Sequence, residues 1–184
     1  MEENLKQQHT EVIKIAMYGP ESTGKTTLAS QLADEFNTIW IPEFARDYLQ
    51  EKWNSKQEIC SQEDLIPIAI GQTQLENNAL NKANKILFCD TNLLVTKVFS
   101  DIYYNNCDAI LEKAAKKHKY DLIFADPPYD LPNIPEIIHW VKENSILNDG
   151  GILIIEHASL QNLSSYPGFI EARKYGTSTF SFFE

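Results

Sequence analysis

Apolar positions along the 184-residue chain fall into two rhythms. The first is a set of short, nearly continuous apolar runs, rich in β-branched and aromatic residues, of the length and composition of buried strands. They are VIKIAMYG (Val12–Gly19), TIWIPEF with Pro42 near its end, KILFCDT (Lys85–Thr91), YDLIFADP, and GILIIEHA, which is launched by an NDGG turn at Asn148–Gly151. The second rhythm is helical. From Gly24 onward Leu28, Leu32 and Phe36 recur four apart on one predicted face. ARDYLQEKW continues as a helix, and Asn54–Cys60 reads as a loop. Ser61, with Asp64 three residues on, marks the start of a long helix running toward Lys82. Residues 92–118 are helical with a break at Tyr104-Asn105-Asn106, and NIPEIIHWVKENSIL forms a further helix. The tail EARKYGTSTFSFFE holds two strand-like runs around Gly176, which predicts a hairpin at a sheet edge. Residues 1–10 read as a loose leader.

Alternating strands and helices predict an α/β fold, with a mainly parallel sheet and helices on both faces in three layers. Ligands in such sheets bind beyond the carboxyl ends of the strands. The length predicts a single domain. At 43% hydrophobic residues the chain can bury a full core. The formal net charge of −10 argues against a general nucleic-acid binder. Residues 120–184 contribute to that charge disproportionately, with only Lys142, Arg173 and Lys174 as basic side chains. The three cysteines, Cys60, Cys89 and Cys107, lack metal-type spacing, and Cys89 reads as a small buried hydrophobe. No apolar run is long enough to span a membrane, and a reducing cytoplasmic setting is expected.

Chemistry enters at GPESTGKTT, Gly19–Thr27, which fits G-x-x-x-x-G-K-[ST] between a buried strand and a helix. Gly19 and Gly24 permit backbone angles that turn successive N–H groups inward toward phosphate oxygens. The helix start at Gly24 adds its positive dipole end. Lys25 can neutralise outer phosphates, and the Thr26 hydroxyl can ligate Mg²⁺. Asp90 closes the KILFCDT strand and is a candidate metal-linked carboxylate, or a strand-end acid. Glu43 and Arg46, following the second strand, could stand over an acceptor substrate, or be a helix-start acid and a solvated base.

GPESTGKTTLASQLA, IPEFARDYL and ILFCDTNLLVTKVFSDIYY, in that order over about residues 12–122, resemble the ribosylnicotinamide kinase domain of the NAD-biosynthesis regulator proteins and related ATPases. The resemblance implies a phosphate-loop kinase moving the ATP γ-phosphate to the 5′-hydroxyl of a nucleoside such as nicotinamide riboside. It implies that Gly19, Glu21, Ser22, Thr23, Gly24, Lys25, Thr26 and Thr27 hold ATP, that Thr26 and Asp90 serve Mg²⁺, and that Lys25, Glu43 and Arg46 act in catalysis. The family's next segment is a lid with arginines. Here YDLIFADPP replaces it, and after Lys119 the only arginine is Arg173.

From about Tyr120 to Phe183 the runs YDLIFADPPYDLP, GGILIIEH and YGTSTFSFF resemble the C-terminal part of the guanine-N2 methyltransferases of small-subunit ribosomal RNA. There Asp126 would accept a hydrogen bond from a target amino group, Pro127-Pro128 would present a carbonyl, and Tyr129 would stack on an exposed base. That fold binds S-adenosylmethionine at the glycine-rich turn after its first strand, and here the phosphate loop occupies that turn. Asp126, Pro127, Pro128 and Tyr129 are therefore expected to be a vestigial base-binding motif. Glu156-His157 reads as a strand-end pair, and Phe180, Phe182 and Phe183 as core. Three functions follow, in order of preference: an ATP–Mg-binding kinase with impaired turnover, an S-adenosylmethionine-dependent methyltransferase, and a non-catalytic nucleotide-binding remnant. The partners expected are a nucleotide and a nucleoside rather than nucleic acid or membrane. The two resemblances meet at Tyr120-Asp121-Leu122. Both families place a fourth strand beside the first, so one sheet is expected, ordered 2-3-1-4 and extended by a fifth strand and an antiparallel edge hairpin, within one hybrid domain over residues 1–184.

Overall fold

The computed structural model describes residues 2–20, 22–129, 131 and 133–184. Strands β1 (Ile13–Tyr18), β2 (Ile39–Ile41), β3 (Ile86–Cys89), β4 (Tyr120–Ala125) and β5 (Leu147–Ala158) alternate with helices α1 (Lys25–Glu35), α2 (Phe44–Lys56), α3 (Leu65–Ala79), α4 (Leu93–Tyr104), α5 (Ala109–Ala115) and α6 (Pro135–Glu143). Strands β6 (Phe169–Tyr175) and β7 (Ser178–Phe183) complete the fold. Helix α2 runs through Lys56 into the segment expected to be a loop. The break between α4 and α5 falls at Asn105, which takes a left-handed conformation with φ 50°. Ser61 and Asp64 form a reciprocal capping box ahead of α3.

All seven strands form one sheet in the order β2-β3-β1-β4-β5-β7-β6. The inner strands pair in parallel, and β7 runs antiparallel to both β5 and β6. The hairpin thus returns inward: β7 pairs with β5, and β6 lies on the edge. Asn148–Gly151 departs from expectation. It does not precede β5 but lies within it as a bulge, because Tyr120 pairs with Leu147 and Leu122 with Ile152. Gly151 has to be a glycine there, since a Cβ would stand 2.8 Å from the Asn148 carbonyl oxygen.

The junction of the two resemblances is tied on both sides. Asp121 Oδ2 accepts from the Lys14 amide at 2.7 Å, and its Oδ1 accepts from Asn148 Nδ2 at 2.7 Å. The Tyr120 hydroxyl, fully buried, donates to Glu76 of α3 at 3.1 Å. Lys14 and Glu76, both buried, pair at 3.8 Å in the same pocket of polar groups. The expected loose leader is instead packed. Residues 2–5 form a 3-10 turn, Leu5 is buried, and its carbonyl meets His118 Nε2 at 2.8 Å. The polar character of residues 1–10 hid one apolar anchor and a set of backbone partners.

The two sheet faces differ. On one, Ile123, Ala125, Leu153, Ile155 and Phe183 are buried in a large core shared with α3, α4, α5 and α6. On the other, α1 covers Met17 and Phe88 through Ala29 and Ala33. Beyond that helix the same face of β4, β5 and β7 is half-buried: Leu122, Phe124, Ile152, Ile154, Phe180 and Phe182 alternate with fully buried neighbours. Phe180 and Phe182, expected as core, therefore line a groove, whereas Phe183 is core. The buried stripe of α1 is likewise Ala29 and Ala33, while Leu28, Leu32 and Phe36 border that groove.

Candidate phosphate-binding site

The turn from β1 into α1 is shaped by close approach and by torsion at different residues. Gly19 lies against the chain leaving β4: a Cβ there would stand 2.7 Å from the Asp126 carbonyl oxygen. Gly24 takes φ 86° as the N-cap of α1, and Ser22 shares the left-handed region at φ 63°. The torsional demand thus falls on Ser22 and Gly24, not on Gly19 as the sequence suggested. No side chain caps α1 among the described residues, so its first amides remain available to an anion. Glu21 lies outside the described residues. Lys25 Nζ folds back on the loop, donating to the Pro20 carbonyl at 2.5 Å and reaching Thr23 Oγ1 at 3.4 Å.

The Thr26 hydroxyl donates to Asp90 Oδ2 at 2.5 Å. Asp90 is buried, and its Oδ1 has no hydrogen-bond partner among the described residues. A buried carboxylate oxygen without a partner is costly. A hydroxyl beside a carboxylate with a spare oxygen is the donor set of a hard cation that keeps its remaining positions for water and phosphate. The two side chains fit Mg²⁺. Among the described residues, no three His, Cys, Asp or Glu side chains cluster as a fuller metal site.

Glu43 and Arg46 stand at the start of α2 and pair with one another at 3.6 Å, both partly exposed. With Gly19, Ser22, Gly24, Lys25, Thr26, Thr27 and Asp90 they line one cavity of about 750 Å³. Two side chains that the sequence reading passed over fix this wall. Gln72 of α3, buried, accepts from the Phe44 amide at 2.8 Å and donates to the Pro42 and Thr91 carbonyls. It thereby links the end of β2 to the end of β3. Asn92 caps α4 through the Leu94 amide and donates to the Tyr18 hydroxyl at 2.6 Å. Its place directly after Asp90-Thr91, ahead of an apolar helix, was the available signal; Gln72 gave none.

The Thr23 hydroxyl donates to the Pro20 carbonyl at 3.1 Å within the loop. Asp126, which follows β4, is held by its backbone, its amide donating to the Tyr18 carbonyl at 2.8 Å. Burial, then the nearby Glu156 carboxylate, raises the pKa of Asp126 from its ordinary value, opposed by Thr23 and Lys25. Pro127 is buried, and Pro128 and Tyr129 are exposed. The Tyr129 hydroxyl donates to Glu156 at 2.8 Å and contacts Ser178. Asp126 is thus tied to the end of β1, and Tyr129 to β5 and β7. His157 is buried against Ser181 at 2.8 Å, in line with a satisfied strand-end pair.

Known proteins resemble this chain over much of its length. The chain is 31% identical over 109 residues to the trifunctional NAD biosynthesis/regulator protein NadR of Salmonella typhimurium, and equally so to that of Escherichia coli K12. That stretch is 59% of this chain but 27% of those proteins, so the chain spans about a quarter of their length. A crystal structure of NadR in complex with NAD and AMP-PNP superposes with a TM-score of 0.62 at 25% identity, over 84% of this chain and 45% of that one. A second NadR structure, in complex with NR, gives the same TM-score over 78% of this chain and 43% of that one. No helix among the described residues is long and apolar enough to cross a membrane. A family model described as an AAA domain matches residues 14–139, a span that holds the phosphate loop, Glu43, Arg46, Asp90 and the junction at Tyr120, and the chain belongs to that family.

Proposed function

We propose that the protein binds ATP–Mg at the β1–α1 loop and transfers its γ-phosphoryl group to the 5′-hydroxyl of a nucleoside of the nicotinamide riboside type. The observation that carries this is the Thr26–Asp90 pair with its unpartnered buried oxygen, opening on the same cavity as Lys25, Glu43 and Arg46. The likeness to NadR structures with AMP-PNP and with NR supports the same donor and acceptor classes.

The loop amides and Lys25 hold the phosphates, with Lys25 exchanging its Pro20 carbonyl for a phosphate oxygen. Bound at Thr26 and Asp90, Mg²⁺ would neutralise charge on the outer phosphates. Arg46 orients the acceptor, and Glu43 receives the proton of its 5′-hydroxyl as the new oxygen–phosphorus bond forms and the bond to the β-phosphate oxygen breaks. Arg173, the one arginine beyond Lys119, pairs with Glu171 and lies 5.0 Å from the Phe182 ring, which keeps it on the hairpin. Among the described residues Arg46 is the one arginine lining the cavity, so slow turnover is expected.

Measuring ADP formed from ATP with nicotinamide riboside, in the native protein and in Lys25→Ala, tests this reading. ADP that depends on both the nucleoside and Lys25 supports it. Tight nucleotide binding without acceptor-dependent ADP would leave a nucleotide-binding remnant. Saturable binding of S-adenosylmethionine in place of ATP–Mg would favour the methyltransferase reading instead. We further propose that residues 1–184 unfold as one hybrid unit, since β1 is paired to strands from both sides of the junction.

A further inference from the structure

We infer that the groove between α1 and the β6–β7 hairpin takes the base of the bound nucleotide, a purine carrying an amino group. This rests on the nucleotide reading above and adds to it the subsite that recognises the base.

Direction comes first. Thr26, Asp90, Glu43 and Arg46 lie on the β3 and β2 side of the phosphate loop, so the outer phosphate and the acceptor belong there. The ribose and base must then leave the loop on the β4 and β5 side. A second cavity of about 680 Å³ begins there, sharing Gly24 and Lys25 with the first and adding Thr23, Asp126, Glu156, Tyr175 and Phe180 at its mouth. Strand register puts these groups in one row. Phe124 pairs with Ile154, so Asp126 stands level with Glu156, and Glu156 pairs with Phe180 across β5 and β7.

The chemistry of that mouth suits a base and not a phosphate. Two carboxylates there repel an anion but accept from an amino group. Glu156 uses one oxygen for the Tyr129 hydroxyl and keeps capacity on the other. Beside it, Phe180 lies 6.1 Å from Phe124 at an interplanar angle of 20°, and Tyr175 meets Phe180 edge-on at 5.4 Å. Such aromatic walls hold a base by stacking. All these residues except the loop itself come from the downstream segment. The part of the chain that replaced the lid thus supplies a base platform of its own.

The test is calorimetric titration of the full chain, with Mg²⁺ present, using inorganic tripolyphosphate, ATP and purine riboside 5′-triphosphate, which lacks the amino group. ATP should bind native protein at least about tenfold tighter than tripolyphosphate, the scale of one stacked base. Phe180→Ala should remove that advantage and leave tripolyphosphate affinity intact. Glu156→Gln should weaken ATP several-fold and purine riboside triphosphate hardly at all. If Phe180→Ala loses tripolyphosphate through misfolding, Phe180→Leu, which keeps the bulk but not the π face, replaces it and should show the same loss for ATP. Equal affinity of native protein for ATP and tripolyphosphate, or unchanged ATP affinity in the Phe180 variants, overturns the base subsite and leaves the phosphate-loop reading standing. Failure of native protein to bind tripolyphosphate defeats both.

Discussion

At the carboxyl end of the sheet, the loops before and after Tyr120 treat their motifs differently. Upstream, Lys25, Thr26 and Asp90 converge on one cavity, and a buried carboxylate oxygen is left open toward it. Downstream, the Tyr129 hydroxyl of Asp126-Pro127-Pro128-Tyr129 is engaged by Glu156 and Ser178, and Asp126 is fixed by its backbone amide on the Tyr18 carbonyl. Both sets stand at equivalent strand ends, so position in the fold does not explain the difference. What differs is the loop above β1. A phosphate-type turn presses its Gly19 against the Asp126 backbone.

The largest expected effect probes the two sheet faces rather than the loops. Ile155→Ala, in the covered core, should cost about 2–5 kcal/mol in denaturant unfolding, whereas Ile154→Ala, one residue away on the half-open face, should cost well under half of that. Both variants should still unfold in one transition by fluorescence and by circular dichroism, and two separated transitions would break the one-unit reading. Next, Lys25→Ala should weaken ATP–Mg by on the order of 100-fold through loss of a charge-assisted contact, read by calorimetry. Asp90→Asn should cost about tenfold in the presence of Mg²⁺ and little in EDTA, which would localise the cation to that side chain.

A smaller effect concerns Asp64. Burial would raise its pKa, but hydrogen bonds from Lys52, Ser61 and Tyr48 prevail and lower it to about 2. The unfolded chain binds its proton near 3.8, so the stabilisation is present above that pH and fades as pH falls toward 2. Native protein should lose about 1 kcal/mol more than Asp64→Asn over that interval in acid unfolding curves. The smallest change is expected for Tyr129→Phe, which should leave ATP affinity within about twofold, because the exposed Tyr129 holds only one Glu156 oxygen and the other stays free for the base. A large loss there would mean that the Tyr129 hydroxyl itself helps to hold the base.

Much of this was legible because apolar run length and spacing report burial directly. The five parallel strands, the loop at Gly19–Thr27 and the tail hairpin each announced themselves within a few residues. What stayed hidden depended on partners far along the chain. Gln72 looks like one more polar residue in a helix until its amide is seen bridging Pro42 and Thr91. Leu5, a single apolar residue in a polar stretch, has no periodicity to betray its burial. Phe180 and Phe182 alternate as any strand-core pair would, and no pattern in the chain says that α1 stops short of covering them. The NDGG turn carried the right residues for a reversal, yet the parallel neighbour β4 draws it into the strand as a bulge.

The pairing of β1 with β4 has a consequence for biosynthesis. Ile15 finds Leu122 across a gap of more than a hundred residues, so the central strand emerges from the ribosome long before one of its two neighbours exists. Until Tyr120 and its successors follow, the nascent chain carries an open strand edge at its middle, the condition that slows folding and invites holdase chaperones.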